Sequence, residues 1–170
     1  MIAVDYLAQE LKLRNARLWA FGGGTICPLF DACRRYNVEV IICRSEFGAG
    51  MAAIGAFKAS GRVQFVAATS GPGATNLVTP IAEAYYDSCP IIFLTGQVNT
   101  SNLIGYSRQR GFQETPIAKI VYPITKLACQ ASSPTNLVNL FRAAIRFATA
   151  GRGGPCLVDA PMNCQKGEVE

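Results

Sequence analysis

The chain has 170 residues, of which 50% are hydrophobic and 16% are charged, and its formal net charge is +5. This length fits one domain around a single core, and no apolar run reaches the ~18 residues that a membrane-spanning helix needs. The sequence contains no histidine, which excludes Ser-His-Asp and Cys-His nucleophile systems and histidine-containing metal sites within this chain.

Helices and strands alternate along the first half of the sequence. Apolar residues at helical spacing predict a helix over residues 2–14, and ARLWAFGGG predicts a short buried strand that ends in a glycine turn. A helix over 26–36, a β-branched strand VEVIICR and a helix over 46–60 follow.

The second half repeats this pattern. GRVQFVAATSGPG predicts a strand and a turn, and a helix over 74–86 would be kinked at Pro80. PIIFLTG is the next strand, residues 96–112 form the longest loop, and ITKLACQ is a further strand. Ser133 is the expected N-cap of a long helix with Pro134 at its first position and Gly151 at its end, and PCLVDAP is the last strand.

Strands that are apolar on both faces and are each followed by a helix predict a parallel sheet covered on both sides. We therefore expect a three-layer α/β/α fold with about six parallel strands, formed by one domain over residues 1–163, with a flexible tail over residues 164–170. Ligands of such folds bind beyond the carboxyl ends of the strands, and Glu46 follows one of these ends in CRSE. A second interpretation of Glu46 is that it only complements the dipole of the helix that it begins.

Three glycine-containing segments indicate close approaches of the backbone. FGGGT matches neither the dinucleotide-binding fingerprint nor a P-loop, so by itself it indicates a tight turn. SGPG lies between a strand and a helix, where a rigid turn lets the backbone approach a ligand. The helix 46–60 carries Gly48, Gly50 and Gly55, each at a cost of about 1 kcal/mol relative to alanine, which predicts close approach of another backbone or a ligand.

Partners and compartment follow from composition. The apolar composition favours a large buried interface with another chain. Arg108 and Arg110 lie near aromatic residues, but the basic residues form no run, so a solvated surface is favoured over a nucleic-acid patch. Seven cysteines without a C-x-x-C motif predict buried free thiols in a reducing compartment. The N-terminus has no secretory pattern, so we expect a cytoplasmic location and neither nucleic acid nor membrane as a partner.

Five segments occur together in a specific order: AFGGGTICPLFDA, SEFGAGMAAIGAFKASG, TSGPGATNLVTPIAEAYYDSCPIIFLTGQV, GFQE and GRGGPCLVDAP. In this order and spacing the chain resembles the pyrimidine-binding (Pyr) domain of thiamine diphosphate enzymes, and is most similar to the acetolactate synthase large subunit. The resemblance covers residues 3–163 and implies the thiamine diphosphate-binding fold.

The resemblance implies a cofactor role for Glu46. The glutamate at this position in the family hydrogen-bonds N1' of the aminopyrimidine and favours the imino tautomer, which removes the proton from C2 of the thiazolium. A carboxyl group in an apolar cleft can share a proton with a ring nitrogen in this way. Gly71, Pro72 and Asn76 match the turn that lies along the pyrimidine, and the small residues 48–50 would let a partner subunit approach.

The resemblance also implies a substrate side. Gln113 of GFQE matches a residue that reaches the reaction centre, Phe112 is its apolar neighbour, and Gly23 and Gly24 contribute backbone to substrate binding. The family commonly has His before the glutamate and Gln after it, where this chain has Ser45 and Phe47. It also commonly has an acidic residue at Ile54 and a glycine-proline turn where Ala20 and Gly22 stand. These departures leave the Glu46 chemistry in place and leave the identity of the product open.

The family holds the diphosphate through Mg²⁺ with a G-D-G segment and a later Asn, and no G-D-G occurs in this chain. The sequence therefore predicts the Pyr subunit of a split thiamine diphosphate enzyme that decarboxylates a 2-oxo acid, with possible carboligation. A separate diphosphate-binding (PP) subunit would carry the Mg²⁺ ligands, so no metal site is expected here, and a homodimer or heterotetramer is implied. Two alternatives are a non-catalytic or regulatory Pyr module that only pairs with a partner, and a flavodoxin-like nucleotide-binding protein.

Overall fold

A computed structural model describes residues 1–102 and 111–169, with the side chain of Asn102 excepted. Within this part, six parallel strands form one sheet in the order β2-β1-β3-β4-β6-β5. The strands are β1 Leu18–Ala20, β2 Val40–Ile42, β3 Gln64–Ala68, β4 Ile91–Gln97, β5 Leu127–Gln130 and β6 Cys156–Pro161. The predicted parallel sheet is confirmed.

Arg108 and Arg110 lie outside the described residues. Among residues 1–102 and 111–169, no helix has the length and apolar character of a membrane-spanning segment.

Helices cover both faces of this sheet. They are α1 Ala3–Leu13, α2 Cys27–Arg35, α3 Glu46–Ser60, α4 Pro72–Thr75, α5 Val78–Tyr86, α6 Ile117–Val121, α7 Pro134–Thr149 and α8 Met162–Lys166. One core packs α1, α2 and α7 against one face of the sheet, and a second core packs α3, α5 and α6 against the other. Successive residues of β3 alternate between them, with Phe65 in the first core and Val66 in the second. This alternation explains why the central strands are apolar at nearly every position.

The long helix α7 begins as the sequence predicts. The backbone N–H of Asn136 donates to Oγ of Ser133 over 3.1 Å, which satisfies one of the unpaired donors at the helix start. Pro134 occupies the first turn, and Gly151 follows the C-terminal end with a φ of 57°. The buried residues of α7 include Leu137, Phe141, Ala144, Ile145 and Ala148, which lie on one face at helical spacing.

The expected helix over 74–86 is instead two helices, α4 and α5. Pro80 lies in the first turn of α5 and is buried. In a first turn the missing N–H of proline would have no intrahelical partner anyway, so no kink is needed there. The short helix α6 was not predicted, because five residues give too little periodicity to distinguish a helix from a loop.

The expectation of a flexible tail from residue 164 is wrong for residues 164–169. Helix α8 runs through Lys166, with Cys164 and Gln165 buried at 0% and 1% exposure. The chain then returns to α1, where Glu168 forms an antiparallel bridge with Ile2 and the Val169 N–H donates to the Met1 carbonyl over 3.0 Å. Polar composition alone suggested a tail, whereas backbone hydrogen bonds to α1 order it.

The glycines of α3 serve mainly the inside of this chain. A Cβ on Gly50 would lie 2.5 Å from Cβ of Pro80, so Gly50 lets α3 and α5 approach each other. Ala49 and Gly50 are buried, which corrects the expectation that these two residues face a partner subunit. Gly55 has no atom within 4 Å of the position that its Cβ would take.

All seven cysteines are free thiols. Four of them are buried, namely Cys33, Cys89, Cys156 and Cys164. Burial raises the pKa of Cys33 and of Cys156 to about 12, which keeps both thiols protonated near neutral pH.

Candidate functional site

The candidate site lies at the carboxyl edge of the sheet, where the loops after β1, β3 and β4 meet. Glycines make these contacts possible. A Cβ on Gly23 would lie 2.4 Å from Cβ of Thr69, and a Cβ on Gly96 would lie 2.4 Å from Oγ1 of Thr25. Since no real Cβ comes so close to another side-chain atom, residues 23 and 96 must both lack a side chain for the loop after β1 to pack against the loop after β3 and against the end of β4.

Glu46 begins α3 and projects at this edge. Ser45 caps the helix, since its Oγ accepts from the Gly48 N–H over 3.0 Å. Glu46 itself is 7% exposed, and its Oε2 accepts from the side-chain amide of Asn76 over 3.0 Å. A residue that served only the helix dipole would be expected at the surface. Burial against an amide donor instead fixes the orientation of this carboxylate.

The turn after β3 lies beside this carboxylate. A Cβ on Gly73 would lie 3.1 Å from Oε1 of Glu46 and 2.7 Å from Cγ2 of Thr69. Gly73 therefore leaves the space that Glu46 occupies. Gly73 and Thr69 were not predicted as site residues, although both lie within the segment TSGPGATN.

The same turn contacts the segment GFQE. Gly71 has a φ of 62° and is buried, and a Cβ there would lie 2.7 Å from the carbonyl oxygen of Gln113. Gln113 is exposed and also has a positive φ, 56°. Its neighbour Phe112 is 82% exposed. The predicted cofactor-side and substrate-side segments therefore meet through backbone at Gly71.

Gly23 and Gly24 lie in the loop after β1. The packing of Gly23 on Thr69 already accounts for its missing side chain. Gly24 is exposed with no atom within 4 Å of a built Cβ, so its backbone is open to approach. The next residue, Thr25, shares a hydrogen bond with the hydroxyl of Thr69 over 2.8 Å and accepts from the Ser70 N–H over 3.0 Å. Sequence patterns alone did not indicate this threonine pair.

A buried carboxylate that the sequence analysis missed lies deeper in the same edge. Oδ1 of Asp159 accepts from the Thr95 hydroxyl over 2.7 Å, and Oδ2 accepts from the amides of Gln97 over 3.0 Å and Gln130 over 2.7 Å. Asp159 is 0% exposed, and burial raises its pKa to about 6 although all three donors act in the opposite direction. This network joins β4, β5 and β6, and the hydrogen bonds described for Asp159 do not include Glu46.

The predicted site residues thus divide into connected groups. Glu46 and Asn76 are hydrogen-bonded, Gly71 contacts Gln113, and Pro72 is an exposed residue at the start of α4. Gly24 and Phe112 are exposed at the edge and have no described contact with Glu46. The segment TSGPGATN holds both Asn76 and Gly73, so the sequence could have suggested Gly73 as a neighbour of the site.

The edge can accept one half of the implied cofactor. Glu46 provides a buried carboxylate that is held by Asn76, and Gly73 lies beside it without a side chain. These features suit a flat heterocycle with a basic ring nitrogen. Within residues 1–102 and 111–169, no three His, Cys, Asp or Glu side chains cluster as they would for a metal ion. The residues present fit the pyrimidine half of the implied cofactor through Glu46.

Comparison with known proteins supplies an independent finding. Residues 1–120 match the family described as "Thiamine pyrophosphate enzyme, N-terminal TPP binding domain", thiamine pyrophosphate being another name for thiamine diphosphate. The whole chain is 44% identical over 171 aligned residues to a "Probable acetolactate synthase large subunit" of Methanocaldococcus jannaschii. It is 40% identical to the "Acetolactate synthase large subunit" of Corynebacterium glutamicum and to the "Acetolactate synthase isozyme 2 large subunit" of Escherichia coli.

The chain covers a minor share of these relatives. It spans 28% of the M. jannaschii protein, 27% of the C. glutamicum protein and 31% of the E. coli protein. The similarity therefore concerns one domain of each.

Proposed function

Because the chain belongs to the thiamine pyrophosphate enzymes, within their N-terminal TPP-binding domain, we propose that it supplies the pyrimidine side of a thiamine diphosphate-dependent active site. The proposed reaction is decarboxylation of a 2-oxo acid followed by carboligation to an acceptor. The support for carboligation is that similar proteins are named acetolactate synthase large subunits. When bound, the cofactor supplies the carbon nucleophile and the electron sink that decarboxylation requires.

The observation that carries this proposal is the Glu46–Asn76 pair. A carboxylate that is 7% exposed and held by an amide over 3.0 Å is oriented before any ligand arrives. With the cofactor bound, Glu46 would supply the carboxyl group that exchanges a proton with N1' of the pyrimidine. Asn76 would keep this carboxyl group in the same orientation during the exchange.

The substrate side is assigned to the surface next to Gly71. Gln113 carries an amide that can donate to the carboxylate or carbonyl oxygen of a 2-oxo acid. Phe112, 82% exposed, supplies an apolar surface that excludes water once it is covered. The backbone at Gly23 and Gly24 approaches the substrate from the loop after β1.

The diphosphate and its Mg²⁺ are assigned to residues outside this chain. We propose that a separate PP subunit carries them, as the sequence analysis predicts, in a homodimeric or heterotetrameric core of Pyr domains. Large apolar side chains are exposed on this chain, including Phe47 at 47%, Tyr86 at 69% and Tyr122 at 71%. Surfaces of this kind support coverage by another chain.

Calorimetry tests the division of the site. The chain alone should bind thiamine diphosphate weakly or not at all, because charge-assisted diphosphate and Mg²⁺ contacts supply much of such affinity. Co-expression with a PP subunit should give a complex with Mg²⁺-dependent binding and turnover of 2-oxo acids. Micromolar, Mg²⁺-dependent binding to the chain alone would contradict the division.

Assembly separates the catalytic function from a module that only pairs with a partner. A complex that forms and binds the cofactor, but turns over none of a panel of 2-oxo acids, would indicate the non-catalytic module. Sedimentation of the chain alone at tens of micromolar should show a species larger than the 18.2 kDa monomer, since exposed apolar surface favours self-association.

A further inference from the structure

Gln165, near the C-terminal end of the chain, connects the loop after β1 to the end of strand β6. Its Nε2 donates to the carbonyl of Thr25 over 2.7 Å and to the carbonyl of Ala160 over 2.7 Å. Thr25 belongs to the loop after β1, and Ala160 to the end of β6. The side chain thereby ties the loop to the last strand, although Gln165 and Thr25 are 140 residues apart in sequence.

The orientation of this amide is fixed. Two carbonyl oxygens at hydrogen-bond distance require the NH₂ group to face them. Gln165 is 1% exposed, and its Oε1 has no hydrogen-bond partner among residues 1–102 and 111–169. Leaving a buried acceptor such as Oε1 unsatisfied is costly. The chain therefore keeps the two hydrogen bonds donated by Nε2 at a cost in folding free energy. A residue that served packing alone would be apolar at such a position.

Thr25 passes this constraint to the cofactor side of the edge. Its hydroxyl accepts from the N–H of Ser70 over 3.0 Å and shares a hydrogen bond with Thr69 over 2.8 Å. Thr69 in turn lies against Gly23 and against Gly73, which borders Glu46. Gly96 of β4 gives Thr25 the room that it needs, since a Cβ there would lie 2.5 Å from the Thr25 carbonyl oxygen.

We propose that Gln165 is a positioning residue that sets the distance between the loop carrying Gly23 and Gly24 and the turn carrying Gly71 and Gly73, with Thr25 as the intermediate. It touches neither cofactor nor substrate and acts through Thr25. The proposal rests on the proposed function, because the distance between these two loops matters for turnover only if they face one substrate. Loss of Gln165 should therefore weaken 2-oxo acid binding more than it slows the chemical step.

Amide hydrogen exchange of Ser70 tests the connection in the chain itself, without cofactor or activity. Ser70 is 2% exposed, and its N–H is protected by the Thr25 hydroxyl. Thr25→Val removes the hydroxyl at nearly constant shape and should speed Ser70 exchange about tenfold or more. Thr25→Ser keeps the hydroxyl, so the Ser70 N–H should remain as protected as in wild type. Gln165→Met, or Gln165→Asn if the first variant does not fold, should also speed exchange at Ser70.

Asn163→Ala is the matched control on the same helix, because Asn163 bonds to Thr100 and not to Thr25. It should leave Ser70 exchange unchanged. The proposal would be overturned if the Ser70 exchange rate in the Gln165 variants stays within about twofold of wild type while Thr25→Val strongly raises it.

Kinetics with the complementary PP half distinguish positioning from simple structural support. Gln165→Met should raise KM for the 2-oxo acid several-fold while kcat changes less, whereas lost folding alone would lower the amount of active enzyme at unchanged KM. An unchanged KM would also overturn the proposal. A wild-type complex without cofactor binding or turnover would refute the proposed function instead, and Ser70 exchange would still decide whether Gln165 positions Thr25.

Discussion

Gly71 lies directly against Gln113, and a Cβ on Gly71 would come within 2.7 Å of both Cβ and the carbonyl oxygen of Gln113. This contact brings the turn after β3 to the segment GFQE, from which an exposed amide and an exposed aromatic ring project. The two segments that the sequence assigns to cofactor and substrate are therefore neighbours through backbone packing.

The Gly71–Gln113 contact can be tested by substitution. Gly71→Ala places a side chain in that contact and also requires a φ of 62°, whereas Gly61→Ala meets the φ cost alone, since Gly61 has a φ of 68° and nothing within 4 Å. The αL backbone of Gly61, with a ψ of 5°, costs alanine about 1–2 kcal/mol, and the backbone of Gly71, with a ψ of −124°, lies outside αL and costs alanine more. We expect Gly71→Ala to lower the free energy of unfolding by at least about 1 kcal/mol more than Gly61→Ala, measured by urea denaturation. Equal losses would show that Gln113 does not pack on Gly71.

Two glycines of α3 should respond in opposite directions. Gly55→Ala fills open space in a helix interior, and should raise the free energy of unfolding of the isolated chain by about 0.5–1 kcal/mol. Gly50→Ala should lower it, because its Cβ would overlap Pro80 at 2.5 Å. Thermal unfolding of both variants makes the comparison. If Gly55→Ala stabilises the isolated chain but weakens assembly with a PP subunit, Gly55 faces the partner.

Glu46→Gln should fold and assemble normally but lose most of its activity in the complete enzyme. The amide oxygen of Gln can still accept from Asn76, so packing at the start of α3 survives. It cannot exchange a proton with N1', and loss of a positioned proton-transfer group costs about 10²- to 10⁴-fold in rate. The measurement is hydrogen–deuterium exchange at C2 of the bound cofactor, together with turnover.

The matched control is Glu39→Gln. Glu39 is an exposed glutamate whose Oε2 lies 2.7 Å from Nε of Arg17, and this ion pair does not belong to the site. It should leave C2 exchange unchanged. Equal C2 exchange rates in wild type and Glu46→Gln would remove Glu46 from the mechanism and support the helix-dipole interpretation, for which the cost is below about 1 kcal/mol of stability.

Asp159 should make stability depend on pH between about 4 and 6. Its folded pKa of about 6 is above the unfolded value, so the folded state binds the proton more tightly. The resulting stabilisation is fully present below the unfolded pKa and is lost as pH rises through the folded pKa. Its size should be about 1–3 kcal/mol, measured as the difference in free energy of unfolding between wild type and Asp159→Asn across this window.

Asn is the suitable replacement because its amide oxygen can accept from Gln97 and Gln130 while its NH₂ donates to the Thr95 hydroxyl. Asp159→Asn should therefore be at least as stable as wild type at pH 7.5. Asp159→Leu removes the acceptor of the buried Thr95 hydroxyl and one of the two acceptors of the Gln97 amide, at about 1–3 kcal/mol for each lost partner. A wild-type pH profile identical to that of Asp159→Asn would show that Asp159 does not titrate in this range.

The sequence by itself determined the architecture. Apolar runs such as PIIFLTG must be covered on both faces, which requires a parallel sheet between two helix layers. Helix α7 followed from local chemistry, because the capping and helix-ending effects of Ser133, Pro134 and Gly151 extend over only a few neighbouring residues. The position of Glu46 at a strand end was equally local. Glu168 and Ile2 are bridged from opposite ends of the chain, and composition carries no sign of such a contact.

Only the tertiary structure decided which side chains meet at the sheet edge. Strand order brings Asn76 to Glu46, Gln113 to Gly71 and Gln165 to Thr25, although the last pair is 140 residues apart. Periodicity reports which face of an element is buried, but a hydrogen bond between loops depends on which strands are neighbours and how far each loop projects. For the same reason the buried carboxylate of Asp159 was missed: its three donors come from β4 and β5, and only the pairing of both strands with β6 surrounds it with them.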